Sequence, residues 1–375
     1  MNKISYILLI CILSLALNCF SQQLKARDND DLSDFIAIAS IDGKSYGLLN
    51  SEEEWIIKPS FQFLKFIPSD NNGVFIAAVL DDKYGVLDIK NNFSSLIWKL
   101  MSPSNLESSD DIKWAIAPEF YKFRFHFREE LIGARIDDKW GFIDKKGAWV
   151  IPPEFNNLWS FSEGLALVKK GNKWGFIDKK GAWVIAPELD SARDFSEGLA
   201  GARIGGRGGF IDKKGDWVIA PNFDDIGDFS EGLALAKKGN KWGFIDKKGD
   251  WVIAPNFDQD FYTTRFSEGL ARVKKGDKWG FIDKKGAWVI AARFDDLESF
   301  SEGLAVARIG DSDRTGFIDK KGDWVMAPNF ITLHSFSEGL ALANKDYNWG
   351  IIDMKGNWVI QPSYDDLSFT RKNIE

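Results

Sequence analysis

The sequence predicts an all-β tandem repeat, and three observations carry that prediction. The stretch KWGFIDKKGAWVIAP, from Lys173 to Pro187, returns in slightly altered copies down to the C-terminus. Each copy alternates apolar and polar residues with the two-residue period of a strand. Glycine, asparagine and aspartate fall between the alternating runs at turn spacing. Seven copies place the same glycine at Gly141, Gly175, Gly209, Gly243, Gly280, Gly316 and Gly350, with successive spacings of 34, 34, 34, 37, 36 and 34 residues. A period of that size implies stacked supersecondary units sharing a continuous core.

The elements follow in order from Leu165 to Pro187. LALVKK reads as a first strand, Gly171-Asn172 as a tight turn, KWGFID as a second strand, DKKG as a second turn and AWVIAP as a third strand. The product is a three-stranded antiparallel meander. In DKKG, Asp178 stands first and Gly181 fourth, which suits a type I turn closed by a left-handed residue. Glycine takes the required positive φ without strain. Pro187, lacking an N–H, is expected to end the third strand. The linker to the next unit, such as FDDIGDFSEG from Phe223 to Gly232, leaves room for a short fourth strand through Phe229.

In KWGFID, Trp174 and Phe176 point one way while Gly175 and Ile177 point the other. In AWVIAP, Trp183 and Ile185 oppose Val184. Two apolar faces require burial on both sides, so each meander is expected to pack between its neighbours. The motif tryptophans are Trp140, Trp174, Trp242, Trp279 and Trp349 before the glycine, and Trp149, Trp183, Trp217, Trp251, Trp288, Trp324 and Trp358 opening the third strand. These read as core. The glycine after the first tryptophan is expected to leave a gap in which an aromatic ring lies flat.

Residues 1–21 carry Lys3, an apolar run from Ile7 to Leu17 and a polar continuation at Gln22, the pattern of a secretory signal peptide too short in its apolar core for a membrane span. Cleavage after Ser21 is the first expectation, with no membrane span afterwards. A lipid anchor at Cys19 is the alternative, although Leu17 and Asn18 fit a lipoprotein signal poorly. Cys11 and Cys19 are the sole cysteines, so the processed chain has no disulfide framework or thiolate metal site. Residues 22–34 form a polar lead-in. Residues 35–130 carry worn repeats, with Tyr46-Gly47 and Tyr84-Gly85 standing for Trp-Gly, and KWAIAPEFYKF ending at Phe123 counted as a damaged third unit. Residues 131–369 hold seven well-formed repeats, giving about ten units before a tail at 370–375. The long loop is expected around Ser102 to Asp111.

Two repeats depart from the pattern. ARIGGRGGFID has Gly208 where tryptophan stands elsewhere, and GDSDRTGFID has Thr315 there with a longer hairpin. Either departure loosens the array locally or marks a specialised site. The chain ends after YDDLSF at nearly the phase in which it begins, so no strand is expected to be left over by which one terminus completes the other's unit.

The joint recurrence of KWGFIDKKGAWVIAP, FD and FSEGLA resembles the WG-repeat family, widespread in bacterial proteins and generally without an assigned activity. The resemblance covers Leu131 to Phe369 strongly and Phe35 to Phe123 weakly. It implies a β-rich repeat region used for binding and supplies no catalytic residues.

The sequence offers no catalytic, cofactor or metal site. His126 and His334, the two histidines, sit in different units. Asp144, Asp178, Asp212, Asp246, Asp283, Asp319 and Asp353 each open a turn, where a carboxylate caps backbone N–H groups. Asp311, Ser312 and Asp313 form a fragment of a calcium loop without its remaining ligands. GGRGG precedes a strand, and no GxxxxGK[ST] phosphate loop is present. Lysine pairs such as Lys145-Lys146 and Lys247-Lys248 recur in one turn and acids in the linker, which predicts separate basic and acidic stripes. A net charge of −7 with interleaved acids argues against nucleic-acid binding.

For architecture, an open curved array of units is favoured over the alternative, a β-propeller, whose blades typically number four to eight. For function, the first reading is an exported, non-enzymatic scaffold binding a protein or other macromolecule at the cell envelope, located in the periplasm, at the outer membrane or outside the cell. The alternative is a glycan-binding protein that uses the repeat aromatics as platforms. An exported hydrolase ranks last.

Overall fold

A computed structural model of the chain describes residues 35–371, apart from 41, 43, 51–54, 68–74, 81–82, 89–113, 121, 124–127, 258–263 and 311–312. The signal segment, Cys11, Cys19, the lead-in, the loop expected at 102–111, His126, Asp311 and Ser312 therefore lie outside the described residues. Those that are described contain strands and no helix. They form nine four-stranded antiparallel sheets, none closed into a barrel.

The fourth sheet serves as the pattern. Its strands are Asn157–Ser162, Leu165–Lys170, Lys173–Ile177 and Trp183–Leu189, each paired with the next. The last three are the expected meander, and the linker supplies a full fourth strand. In the sixth sheet that strand is Asp225–Ser230, which contains Phe229. In others it shrinks to two residues, as at Ser191–Ala192.

The DKKG turn forms as the sequence requires. Asp178 accepts the N–H of Lys180 and of Ala182, both at 2.9 Å, and Gly181, at φ +83°, donates its N–H to the Asp178 carbonyl. The same capping recurs from Asp144 to Asp353. Asp246→Ala is expected to lower stability by about 1 kcal/mol, since the turn keeps its backbone bonds but loses its side-chain acceptor. Denaturant unfolding of the variant measures this.

Three local expectations need correction. The first concerns the glycine after tryptophan, which faces backbone rather than a ring. Trp174 pairs with Leu189 and Phe176 with Ile185, so two steps on one strand face four on the other. The resulting bulge presses the third strand against Gly175, where a Cβ would lie 2.5 Å from the Ile185 carbonyl oxygen. At Gly350 a ring enters as well, with Trp358 Cζ3 at 2.6 Å. The second concerns Pro187, which sits inside the strand Trp183–Leu189 at this bulge instead of ending it. Proline is tolerated there because a bulge on an edge strand needs no donor. The third concerns burial. The two central strands are buried on both faces, but the third strand is not: Val184 is 40% exposed.

Each apolar cluster is built from two neighbouring sheets. Leu131, Trp140, Phe142, Ile151 and Phe155 of the third sheet pack with Leu158, Phe161, Ala166, Val168 and Ile177 of the fourth. The phenylalanine of each FID segment meets that of the next FSEG, as in Phe142–Phe161 at 4.7 Å and Phe176–Phe195 at 4.9 Å between ring centroids. Such pairs add roughly 0.5–1.5 kcal/mol beyond their burial. A single unit therefore lacks half of its core.

Among the described residues the repeats number nine, not about ten. Trp114–Phe120 pairs with Lys83–Asp88, Tyr84 opposite Phe120, and Lys122–Phe123 pairs with Ile132–Ile136, so the supposed third unit supplies the last strand of the second sheet and the first of the third. The ends of the chain also meet. Strand Asp366–Arg371 pairs with Phe35–Ser40 over six residue pairs, from Phe35↔Arg371 to Ser40↔Asp366. The first sheet thus takes three strands from one end of the chain and one from the other. Asp365 N–H bonds the Ser40 carbonyl, and the Tyr46 hydroxyl donates to Asp366 at 3.1 Å. The expectation that no strand would be left over is corrected on this point: the curved row of sheets returns to its start.

Candidate binding surface

The FSEG segment, read from sequence as part of a linker, is a two-residue hairpin that ties each sheet to the next. Glu163 and Gly164 both have positive φ, 52° and 89°, which is the type I′ geometry. Glutamate recurs there at φ 52–54° in Glu197, Glu231, Glu268, Glu302 and Glu338. A non-glycine residue holds that conformation only where its surroundings fix it. The Glu163 carboxylate accepts the Gly198 N–H of the following sheet at 3.1 Å and pairs with Lys213 at 3.0 Å. Glu197 does the same with Gly232 and Lys247, Glu231 with Gly269 and Lys284, and Glu268 with Gly303 and Lys320. The preceding serine adds a second tie: Ser162, Ser196, Ser230, Ser267 and Ser301 each donate to a phenylalanine carbonyl of the next sheet at 2.8 Å.

The first lysine of five DKKG turns, Lys179, Lys213, Lys247, Lys284 and Lys320, is thus spent on a glutamate of another sheet. The separate basic and acidic stripes expected from sequence are, in these repeats, one row of cross-sheet ion pairs. Partial burial tends to raise the carboxyls of Glu163 and Glu231, but the lysine and backbone N–H donors outweigh it and hold both below the usual carboxylate range. An acid whose pKa is lowered on folding contributes stability above its unfolded value, near 4.3, and loses it as pH falls through the folded value. The melting temperature should therefore drop between about pH 5 and pH 3. A flat melting temperature across that range would show that these pairs carry no stability.

The motif residues divide into two sets. Trp140, Trp242 and Trp279 are 4–6% exposed and belong to the core, with Lys237 lying 5.6 Å from the Trp242 ring centroid. The reading of all the motif tryptophans as core is corrected for the rest: Trp174 and Trp349 are half-buried, and the third-strand indoles are partly exposed because that strand edges its sheet. Five of them stand edge-on to a phenylalanine of the preceding sheet: Phe155–Trp183, Phe223–Trp251, Phe257–Trp288, Phe294–Trp324 and Phe330–Trp358, at 5.7–6.2 Å. Gly141, Gly209, Gly243, Gly280 and Gly316 all face bulge backbone, as Gly175 does. These positions are brought together by packing and do not converge on a chemical centre. Among the described residues no group of three or more His, Cys, Asp or Glu is placed to hold a metal ion.

Two surface features remain. On the exposed face of the third strand, the same valine stands open in six successive sheets: Val150, Val184, Val218, Val252, Val289 and Val325, each 40–50% exposed. The second feature is a cleft of about 340 Å³ lined by Trp159, Ser191, Ala192, Arg193, Gly201, Arg203, Asp225 and Ile226. It lies at the repeat that lost its tryptophan. Gly208 replaces the tryptophan, Gly201 stands where Leu167 and Leu235 stand in the flanking sheets, and Ile226 fills part of the vacated space. Arg203, with no indole beside it, turns to Asp225 at 2.8 Å and to the carbonyls of Gly206 and Asp224. Thr315, at the other departure, donates to the Phe330 carbonyl at 3.4 Å. His334 lines a smaller cleft of about 250 Å³ with Ser335, Glu338 and Ser368, its ring 5.3 Å from that of Trp349.

This is a tandem β-repeat protein with a repeated outer surface and clefts at individual repeats. The WG containing repeat model matches residues 46–84, 113–140, 140–174, 174–207, 209–242, 242–279, 279–311, 316–349 and 349–374, and the chain belongs to that family. No curated protein matches the sequence. Among solved structures, the fold is similar to the crystal structure of the eukaryotic initiation factor, with a TM-score of 0.60 at 12% identity over 92% of this chain and 100% of that one. Dihydro-heme d1 dehydrogenase NirN in complex with DHE gives 0.47 at 15% identity, over 92% and 76%. Apo AztD from Citrobacter koseri gives 0.41 at 10%, over 91% and 98%. At 12% identity the likeness to the initiation factor is one of fold alone.

Proposed function

We propose that the protein is an exported, non-enzymatic scaffold that engages a protein or other macromolecule at the cell envelope through its repeated surface. The single observation behind this reading is the row of exposed valines, which offers one apolar contact six times at repeat spacing. A partner touching several of them gains affinity from multivalency without any one contact being strong. Export rests on the N-terminal sequence pattern alone. The packing of the repeat indoles against neighbouring phenylalanines favours this reading over glycan binding by the repeat aromatics. The test is crosslinking in intact cells with the parent chain and with Val184→Glu/Val252→Glu/Val325→Glu. A crosslinked envelope partner lost in the triple variant, at unchanged melting temperature, is expected. Equal crosslinking by both chains would reject the valine row as the contact.

A further inference from the structure

We infer that the third strand of the seventh sheet, Trp288–Phe294, is a self-association edge through which two copies of the chain pair antiparallel into a dimer. Three observations carry this. The first is where the chain places its prolines. The third strand stands at the edge of its sheet, with a strand beside it on one side only. Its fifth residue is proline in eight sheets, from Pro59 in the first to Pro362 in the last, and these positions take eight of the chain's 11 prolines. Proline removes a donor and sets a ring at the edge, which blunts it against a further strand. The seventh sheet is the exception, with Ala292 at that position. The strand nonetheless follows the same path. Its pairs Trp279↔Phe294, Phe281↔Ile290 and Ile282↔Trp288 repeat the register of Trp242↔Phe257, Phe244↔Ile253 and Ile245↔Trp251 in the sixth sheet. Alanine therefore changes what the edge can pair with, not how the sheet is built.

The second is the surface this edge offers. Trp288 is 37% and Val289 46% exposed, Ala291 is exposed as well, and the stretch from Trp288 to Ala292 holds no charge. Charges on an edge are the other common guard against pairing, and here they are missing. The opposite edge of the same sheet, Phe266–Ser267, is only two residues long and is tied to the next sheet by the Ser267 hydroxyl on the Phe300 carbonyl.

The third is charge complementarity under a two-fold axis. The strand runs from the basic turn Lys284-Lys285 to the acidic pair Asp295-Asp296, and Ile290 lies midway between Lys285 and Asp295. Antiparallel apposition about Ile290 brings the basic end of each copy to the acidic end of the other, and Lys285 and Asp296 are both exposed. Parallel apposition would bring like charges together. Every repeat has this polarity, but proline blunts the edge in the other eight. The contact is isologous, and with one unblunted third strand per chain it closes at two copies.

Sedimentation velocity on the purified full chain, over about a hundredfold range of concentration, tests this. A reversible monomer–dimer equilibrium is expected, with no larger species. Ala292→Pro gives the seventh sheet the residue that the other eight carry, and should raise the dissociation constant of the dimer about tenfold or more at unchanged melting temperature. Val289→Lys, which guards the edge by charge instead, should act in the same direction. A chain that stays monomeric throughout, a dimer equally strong in both variants, or assembly that grows past two copies would each overturn the inference. A strand of another protein as the true occupant would appear as the first of these outcomes. The inference does not rest on the scaffold reading: the chain is tested alone, and Val184→Glu/Val252→Glu/Val325→Glu leaves Val289 in place, so either can fail without the other.

Discussion

Deleting residues 365–375 is expected to be the most damaging small truncation of this chain. The lost segment contributes one whole strand of the first sheet, six residue pairs with Phe35–Ser40 and the Tyr46–Asp366 bond. Ala37, Ile38 and Ala39, now 0–2% exposed, would lose the strand beside them, and Leu367 would be missing from the core. The melting temperature should fall by about 10 °C or more, in keeping with a loss of several kcal/mol from a domain of this size. The freed edge of Phe35–Ser40 should also promote association between chains, as unpaired edges do. A truncated chain that melts and associates like the parent would mean that the terminal strand is not integral to the fold.

The second large effect is expected at the motif glycine. In Gly243→Val, the new Cβ would lie 2.4 Å from the Ile253 carbonyl oxygen and 2.8 Å from the Ala254 carbonyl carbon. Those atoms belong to the backbone of a bulge whose register is fixed on both sides, by Trp242↔Phe257 and Phe244↔Ile253. Relief requires moving the strand, so the cost should reach about 3 kcal/mol. Gly239→Asn is the comparison. That glycine sits in the hairpin turn at φ +61° with nothing within 4 Å of its missing Cβ, and asparagine tolerates the left-handed region. It should cost well under 1 kcal/mol. Equal losses at the two positions, read from denaturant midpoints, would show that the bulge contact is not what requires glycine in the motif.

These cases mark what a single sequence makes legible. The Asp178-to-Gly181 turn was readable because all of its partners lie within four residues. Burial of Trp140 and Trp242 was readable because their strand carries apolar residues on both faces, but the same reading overstates the third strand, where Val184 and Trp217 stand exposed. The Gly175 contact was not, since it depends on two additional residues in the opposite strand, whose register the pattern does not announce. Glu163 and Lys213 are 50 positions apart and belong to different units, so the acids and lysines looked like two stripes. Glutamate-glycine is also a weaker turn signal than asparagine-glycine, which hid the FSEG hairpin inside a linker. Trp114–Phe120 was separated from its own unit by the 25 residues that follow Asp88, which inflated the count. The closing strand Asp366–Arg371 looks like every other linker strand, and only its partner is unusual. As for the cleft, Gly208 stood out in the sequence. Trp159 did not, though comparing its column across repeats would have singled it out.

Small-angle X-ray scattering from the folded repeat region tests the central claim, that the row of nine sheets returns to its start. A compact body of about 340 residues has a radius of gyration near 20 Å. Nine sheets stacked about 10 Å apart with their ends separated would make a body on the order of 90 Å long, with a radius nearer 30 Å. Pairing of Phe35–Ser40 with Asp366–Arg371 predicts the smaller value. A radius near 30 Å for the monomer would contradict that pairing and leave the two ends of the array apart.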